Sequence, residues 1–96
     1  MFIDKSDVIK THIVKLEKDS DLLDSLTTYA EENNIQAAEI NFIGAVQSAK
    51  VLYFNQEKKK YDEHIMDQPY EVLSGIGNIS ILDNKPFVHV HVVLRS

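Results

Sequence analysis

The octet Phe87-Val88-His89-Val90-His91-Val92-Val93-Leu94 constrains the fold more than any other part of this chain. Successive side chains of a strand leave on opposite faces, so Val88, Val90, Val92 and Leu94 form one face and Phe87, His89, His91 and Val93 the other. The first face is a core stripe and needs an apolar cover. The second throws two imidazoles out in parallel from positions about 6–7 Å apart.

Elsewhere the period separates one helix from several strands. Leu22, Leu23, Leu26, Tyr29 and Ala30 recur at three- and four-residue spacing, which predicts a helix with one apolar stripe and an acidic outer face. Asp19 or Ser20 can accept from the free N–H groups of its first turn, and Asp21 and Asp24 sit where the helix dipole favours negative charge. Asn33-Asn34 tolerates left-handed backbone and stops it. Before the helix, residues 9–16 combine β-branched content with partial alternation and read as a first strand. Across residues 35–54 the period is two: Ala38, Ile40 and Phe42 share a face, Ile43-Gly44 breaks the count, and Ala49, Val51 and Tyr53 then lie opposite Leu52 and Phe54. Apolar side chains on both sides of that last stretch imply that both sides are covered.

Residues 55–60 read as a hairpin turn and 61–66 as a polar edge strand. A further strand runs from Tyr70 through Ser74-Gly75-Ile76-Gly77-Asn78 to Leu82, and Asp83-Asn84-Lys85-Pro86 has the chemistry of a turn. One helix and five strands, mostly in hairpin order, give an α+β fold: a mainly antiparallel β-sheet with one main helix packed on it. Ninety-six residues allow one domain, 1–96, and nothing more. A chain of this size buries only about 60–65% of its unfolded surface, so association with copies of itself is a direct way to gain stability.

Charge and composition remove several functions. Fifteen acidic residues oppose ten basic ones, a net charge of -5, and affinity for duplex phosphates comes largely from Lys and Arg. The one dense basic run, Lys58-Lys59-Lys60, reads as a solvated turn, and no residue stands out for DNA contact. There is no cysteine, so histidine and carboxylate are the remaining strong metal ligands. The opening Met1-Phe2-Ile3-Asp4-Lys5 reaches an acid before any apolar run, and no stretch approaches a membrane span. The expected setting is cytoplasmic, without membrane contact.

His89 and His91 are the candidate metal ligands, since two neutral imidazoles make half of a tetrahedral zinc shell; the plainer reading has both bonded to backbone or water. Tyr70 and Glu71 are candidate binding residues, with Glu71 either buried against a partner or turned to solvent. Glu71 is also the expected donor of a borrowed carboxylate to the histidine pair. His12 and His64 read as surface or satisfied histidines. Gly75-Ile76-Gly77 reads as a strand kink or bulge rather than a phosphate loop. No complete catalytic constellation is present, so an enzyme working alone is not expected.

Taken in order, Val14-Lys15-Leu16, Asp19-Ser20-Asp21-Leu22, Ala37-Ala38-Glu39-Ile40, Ile43-Gly44-Ala45-Val46 and Ala49-Lys50-Val51-Leu52-Tyr53-Phe54 resemble the PPC domain, conserved between plants and prokaryotes. Pro69-Tyr70-Glu71-Val72-Leu73-Ser74, Gly77-Asn78-Ile79-Ser80 and Lys85-Pro86-Phe87-Val88-His89-Val90-His91 continue the resemblance to the end. It implies a homotrimer and a DNA-associated or transcription-related role. In plants the DNA-touching part of such proteins is an AT-hook, and this chain has no Arg-Gly-Arg-Pro hook, so direct contact with DNA is not expected. Some prokaryotic members resemble metal binders through a pair matching His89 and His91, which implies zinc and, as the alternative function, a metal-binding protein or metal-dependent enzyme. Typical members continue past this strand to a Gly-Gly-His-Leu segment carrying a third histidine, which is expected to be missing here.

Overall fold

The computed structural model describes residues 10–96. The element order is α1 (Leu22–Glu32), β1 (Ala38–Val46), β2 (Ala49–Asn55), β3 (Lys60–Met66), β4 (Tyr70–Leu82) and β5 (Lys85–Arg95). β1, β4 and β5 form a three-stranded antiparallel sheet with β4 in the centre, and β2 and β3 form a separate two-stranded ribbon. The architecture is α+β and mainly antiparallel, as the alternation along the chain requires.

The β4–β5 hairpin is the backbone of the larger sheet. Asp83 and Asn84 both take positive φ, 52° and 63°, the conformation of a two-residue turn whose twist matches that of the flanking strands. Pairing runs from Leu82 opposite Lys85 to Glu71 opposite Arg95. Pro86 already lies inside β5, tolerated because β5 is an edge strand and needs no second partner. Between Val72 and Ser74 the register slips, facing a second slip between Phe42 and Gly44 on β1. The slip reverses the parity of β4, so that Val72 and then Gly75 and Ile79 are the residues turned inward. Gly75 lies under the Phe42 ring, where a Cβ would collide with the ring's far edge.

Helix α1 covers the inward face of this sheet. Asp21 is its N-cap, accepting from the Asp24 backbone N–H at 2.9 Å, in place of the expected Asp19 or Ser20, two and one residues earlier. Asn33 closes the other end, and Asn34 takes φ 52° as its sequence suggests. Ala30 is fully buried and packs on Ile79 and Val88, with Leu26, Ile35, Ala38, Ile40 and Val90 around them. The small Ala30 side chain lets helix and sheet approach closely, and the core stripe of β5 faces the helix as its period demands.

Two expectations need correction. Residues 10–16 form no strand and pair with neither sheet; Ile9, like the opening Met1 to Lys5, lies outside the described residues. Ile13 is 98% exposed. β-branched residues favour a pleated, partly buried surface rather than a strand for its own sake, and here no strand edge receives them. The second correction concerns residues 49–54. They alternate as expected, but only one side is partly covered, while Leu52 and Phe54 on the other stay open to solvent within one copy of the chain.

Candidate functional site

The outward face of the three-stranded sheet carries no helix. Register places Glu39 of β1 opposite Asn78 of β4, and Asn78 opposite His89 of β5, in one row across the sheet. The next row on the same face is Asn41, Ile76 and His91. These six residues line a shallow depression of about 270 Å³. Gly77 sits in its floor, where a Cβ would run into the carbonyl oxygen of His89. Glycine there lets β4 and β5 close up directly beneath the imidazoles.

His89 and His91 leave β5 on the same side, as period two requires, and their Nε2 atoms converge to 3.1 Å. The rings meet edge to face, with centroids 4.9 Å apart and planes at 77°. Phe87, two residues earlier on the same face, stacks on His89 at 6.4 Å and 24° and limits the swing of that ring. Without a metal, a neutral pair at this distance holds one N–H···N hydrogen bond. The same convergence fits joint ligation: two nitrogens each about 2.0–2.1 Å from a tetrahedral zinc ion lie roughly 3.3–3.4 Å apart. The pair therefore needs only a small opening to accept an ion. Among the described residues there is no group of three or more potential ligands close enough to hold a metal together, so these side chains supply half of a zinc shell.

The other expected residues lie elsewhere. Glu71 is exposed and sits at the far end of β4, opposite Ala45 and Arg95, five residues along the strand from Ile76, the partner of His91. That separation is about 16 Å of strand, which leaves Glu71 outside the reach of the histidine pair. Tyr70, beside it, is half-buried and accepts a 2.6 Å hydrogen bond from Gln68 Nε2. His64 is exposed on β3 opposite Val51. His12 pairs its Nδ1 with the Tyr29 hydroxyl at 2.5 Å, fastening the N-terminal segment to the helix. Lys58 and Lys59 occupy the turn between β2 and β3, and Lys60 begins β3. Asn55 shapes that turn by accepting from the Glu57 and Lys58 backbone N–H groups.

Sequence reasoning passes over Glu39, Asn41 and Asn78. The signal for two of them is present: the run Ala38-Glu39-Ile40-Asn41-Phe42 puts Glu39 and Asn41 opposite the core stripe. What links them to the histidines is the strand order, with β1 beside β4 rather than beside its neighbour in sequence.

Comparison with known proteins gives a consistent picture. The family model of the Plants and Prokaryotes Conserved (PCC) domain matches residues 3–96. A metal-containing protein from Archaeoglobus fulgidus superposes with a TM-score of 0.80 and 40% identity, covering 95% of this chain and 69% of that one. A plant- and prokaryote-conserved (PPC) protein from Pyrococcus horikoshii gives 0.78 and 38%, covering 82% and 55%. A protein from Bacteroides thetaiotaomicron named as a candidate DNA-binding protein gives 0.71 and 27%, covering 76% and 51%. The chain thus spans about half to two thirds of the length of these structures. Among curated proteins no match is found.

Proposed function

The chain belongs to the Plants and Prokaryotes Conserved (PCC) domain family, and from that premise we propose that it is a cytoplasmic, non-enzymatic binding module that works as a homotrimer. The family match and the named DNA-binding neighbour support a DNA-associated role. The observation that carries self-association is the open side of the β2–β3 ribbon. Leu52, Phe54, Tyr61 and Ile65 share that side by register and are 65%, 51%, 67% and 69% exposed. A two-stranded ribbon is marginal in water on its own and needs a third strand or a packed surface. The Lys50–Glu63 ion pair crosses the same side between these residues. Four large apolar side chains this exposed around one ion pair mark an interaction site or an aggregation hazard, and identical copies of the chain are the simplest cover for them.

Direct DNA contact is a lesser part of this reading. With a net charge of -5 and one arginine, the chain has few groups to displace phosphate counterions. The DNA-associated role then runs through assembly and protein partners. Fluorescence anisotropy with random duplex at 150 mM salt tests this: binding weaker than micromolar is expected. Submicromolar affinity that disappears on changing Lys58, Lys59 and Lys60 to Ala would overturn it.

A second reading is favoured by one geometric observation, the 3.1 Å convergence of His89 and His91 Nε2. It is supported by the metal-containing relative. In this reading the two imidazoles hold a zinc ion, which when bound would act as a Lewis acid and lower the pKa of its water. The protein's own part is to fix both rings on a rigid strand, with Phe87 steadying His89. Calorimetry against a competing chelator should give an affinity no better than micromolar, because half of the shell is left to water. Full retention in a His89→Ala/His91→Ala variant would remove the pair from any metal role.

A further inference from the structure

We infer that Glu39 is the anionic partner of a metal ion held by His89 and His91, accepting a hydrogen bond from a metal-bound water across the width of β4. This rests on the metal reading above and adds to it a residue from a different strand. Three observations converge on it. Register puts Glu39 and His89 in one row with Asn78 between them, so their backbones stand two strand spacings apart, about 9–10 Å. Glu39 shares the depression with both histidines. No cation among the described residues pairs with its carboxylate: the ion pair there is Lys50 with Glu63, on the ribbon.

Glu39 stands apart from the two histidines, since among the described residues no three potential ligands come together. A water molecule on the ion would bridge from it to the carboxylate. Held by the two Nε2 atoms, the ion would leave the rest of its shell to water, on the face that Asn78 and Glu39 share. A carboxylate there orients the bound water and lowers the cost of concentrating positive charge on the sheet, as hydrogen-bonded carboxylates do around other metal sites. Asn78, lying between, can donate its amide to the carboxylate and hold it toward the ion.

The test is zinc affinity by chelator competition on the full chain, together with the visible absorption of the cobalt-loaded protein. Glu39→Gln should weaken zinc binding by about 10–100-fold, the usual effect of losing an outer-shell partner. The cobalt bands should shift in the same variant. Glu31→Gln, which removes the same charge from the helix, should change neither. Because Glu39 is exposed, the metal-free variant should keep the unfolding midpoint of the parent chain. Unchanged affinity and spectrum in Glu39→Gln, with binding still lost in His89→Ala/His91→Ala, would overturn the role of Glu39 and leave the histidine reading intact. A loss far beyond 100-fold would make Glu39 a direct ligand and overturn the water-bridged arrangement. Retention in the double histidine variant, or no binding by the parent chain, would overturn both.

Discussion

The three-stranded sheet under α1 and the β2–β3 ribbon are made of similar residues and end in opposite situations. In the sheet, Ile79 and Val88 are closed in by Ala30 and its neighbours. In the ribbon, Leu52 and Phe54 alternate just as regularly and face solvent. Periodicity fixes which side chains share a face, but burial depends on whether another element arrives to cover it. One helix can cover one face of one sheet. The ribbon and the outward face of the larger sheet are left over, and these are the surfaces available for partners and ligands.

The sharpest way to break this contrast is to empty the covered region. Ile79→Ala should destabilise the chain by about 2–5 kcal/mol, the usual cost of deleting a buried aliphatic group and leaving a cavity; denaturant unfolding measures it. Next comes Gly77→Ala, whose added Cβ meets the His89 carbonyl oxygen and the Val90 backbone. Backbone cannot move aside as a side chain can, so a loss of roughly 1–3 kcal/mol is expected, with weaker zinc binding because the strand under the imidazoles shifts. Asp21→Ala removes the cap that accepts from Asp24 N–H and should cost about 1 kcal/mol, read by the same unfolding curves. The ribbon stands at the other end of the scale. Leu52→Ser should change stability by no more than about 0.5 kcal/mol under conditions where the chain is monomeric, because a side chain already in water loses little. A loss as large as that at Ile79 would mean that the ribbon is covered within one copy.

How much of this is legible in the sequence follows from the same contrast. The β5 alternation, the Asn33-Asn34 stop and the Asp83-Asn84 turn are local, and each can be read from a few neighbouring residues. The strand expected at residues 9–16 is not formed over its described part, residues 10–16, because β-branched side chains state a preference that only a neighbouring strand edge can satisfy. The histidine pair is legible as a pair, since two residues on one strand fix their own geometry. Glu39 is not legible as their neighbour, and Glu71 is misplaced as one, because both depend on long-range register. A parity reversal at Val72/Ser74 and a strand order that skips two strands decide which carboxylate shares the depression.

The most direct measurement is the solution mass of the parent chain and of a Leu52→Asp/Phe54→Asp variant, by light scattering at micromolar concentration. If the open side of the ribbon is where copies meet, the parent should have the mass of a trimer and the variant that of a folded monomer, with the parent's far-ultraviolet dichroism retained. A monomeric parent chain, or a variant that remains trimeric, would contradict the account.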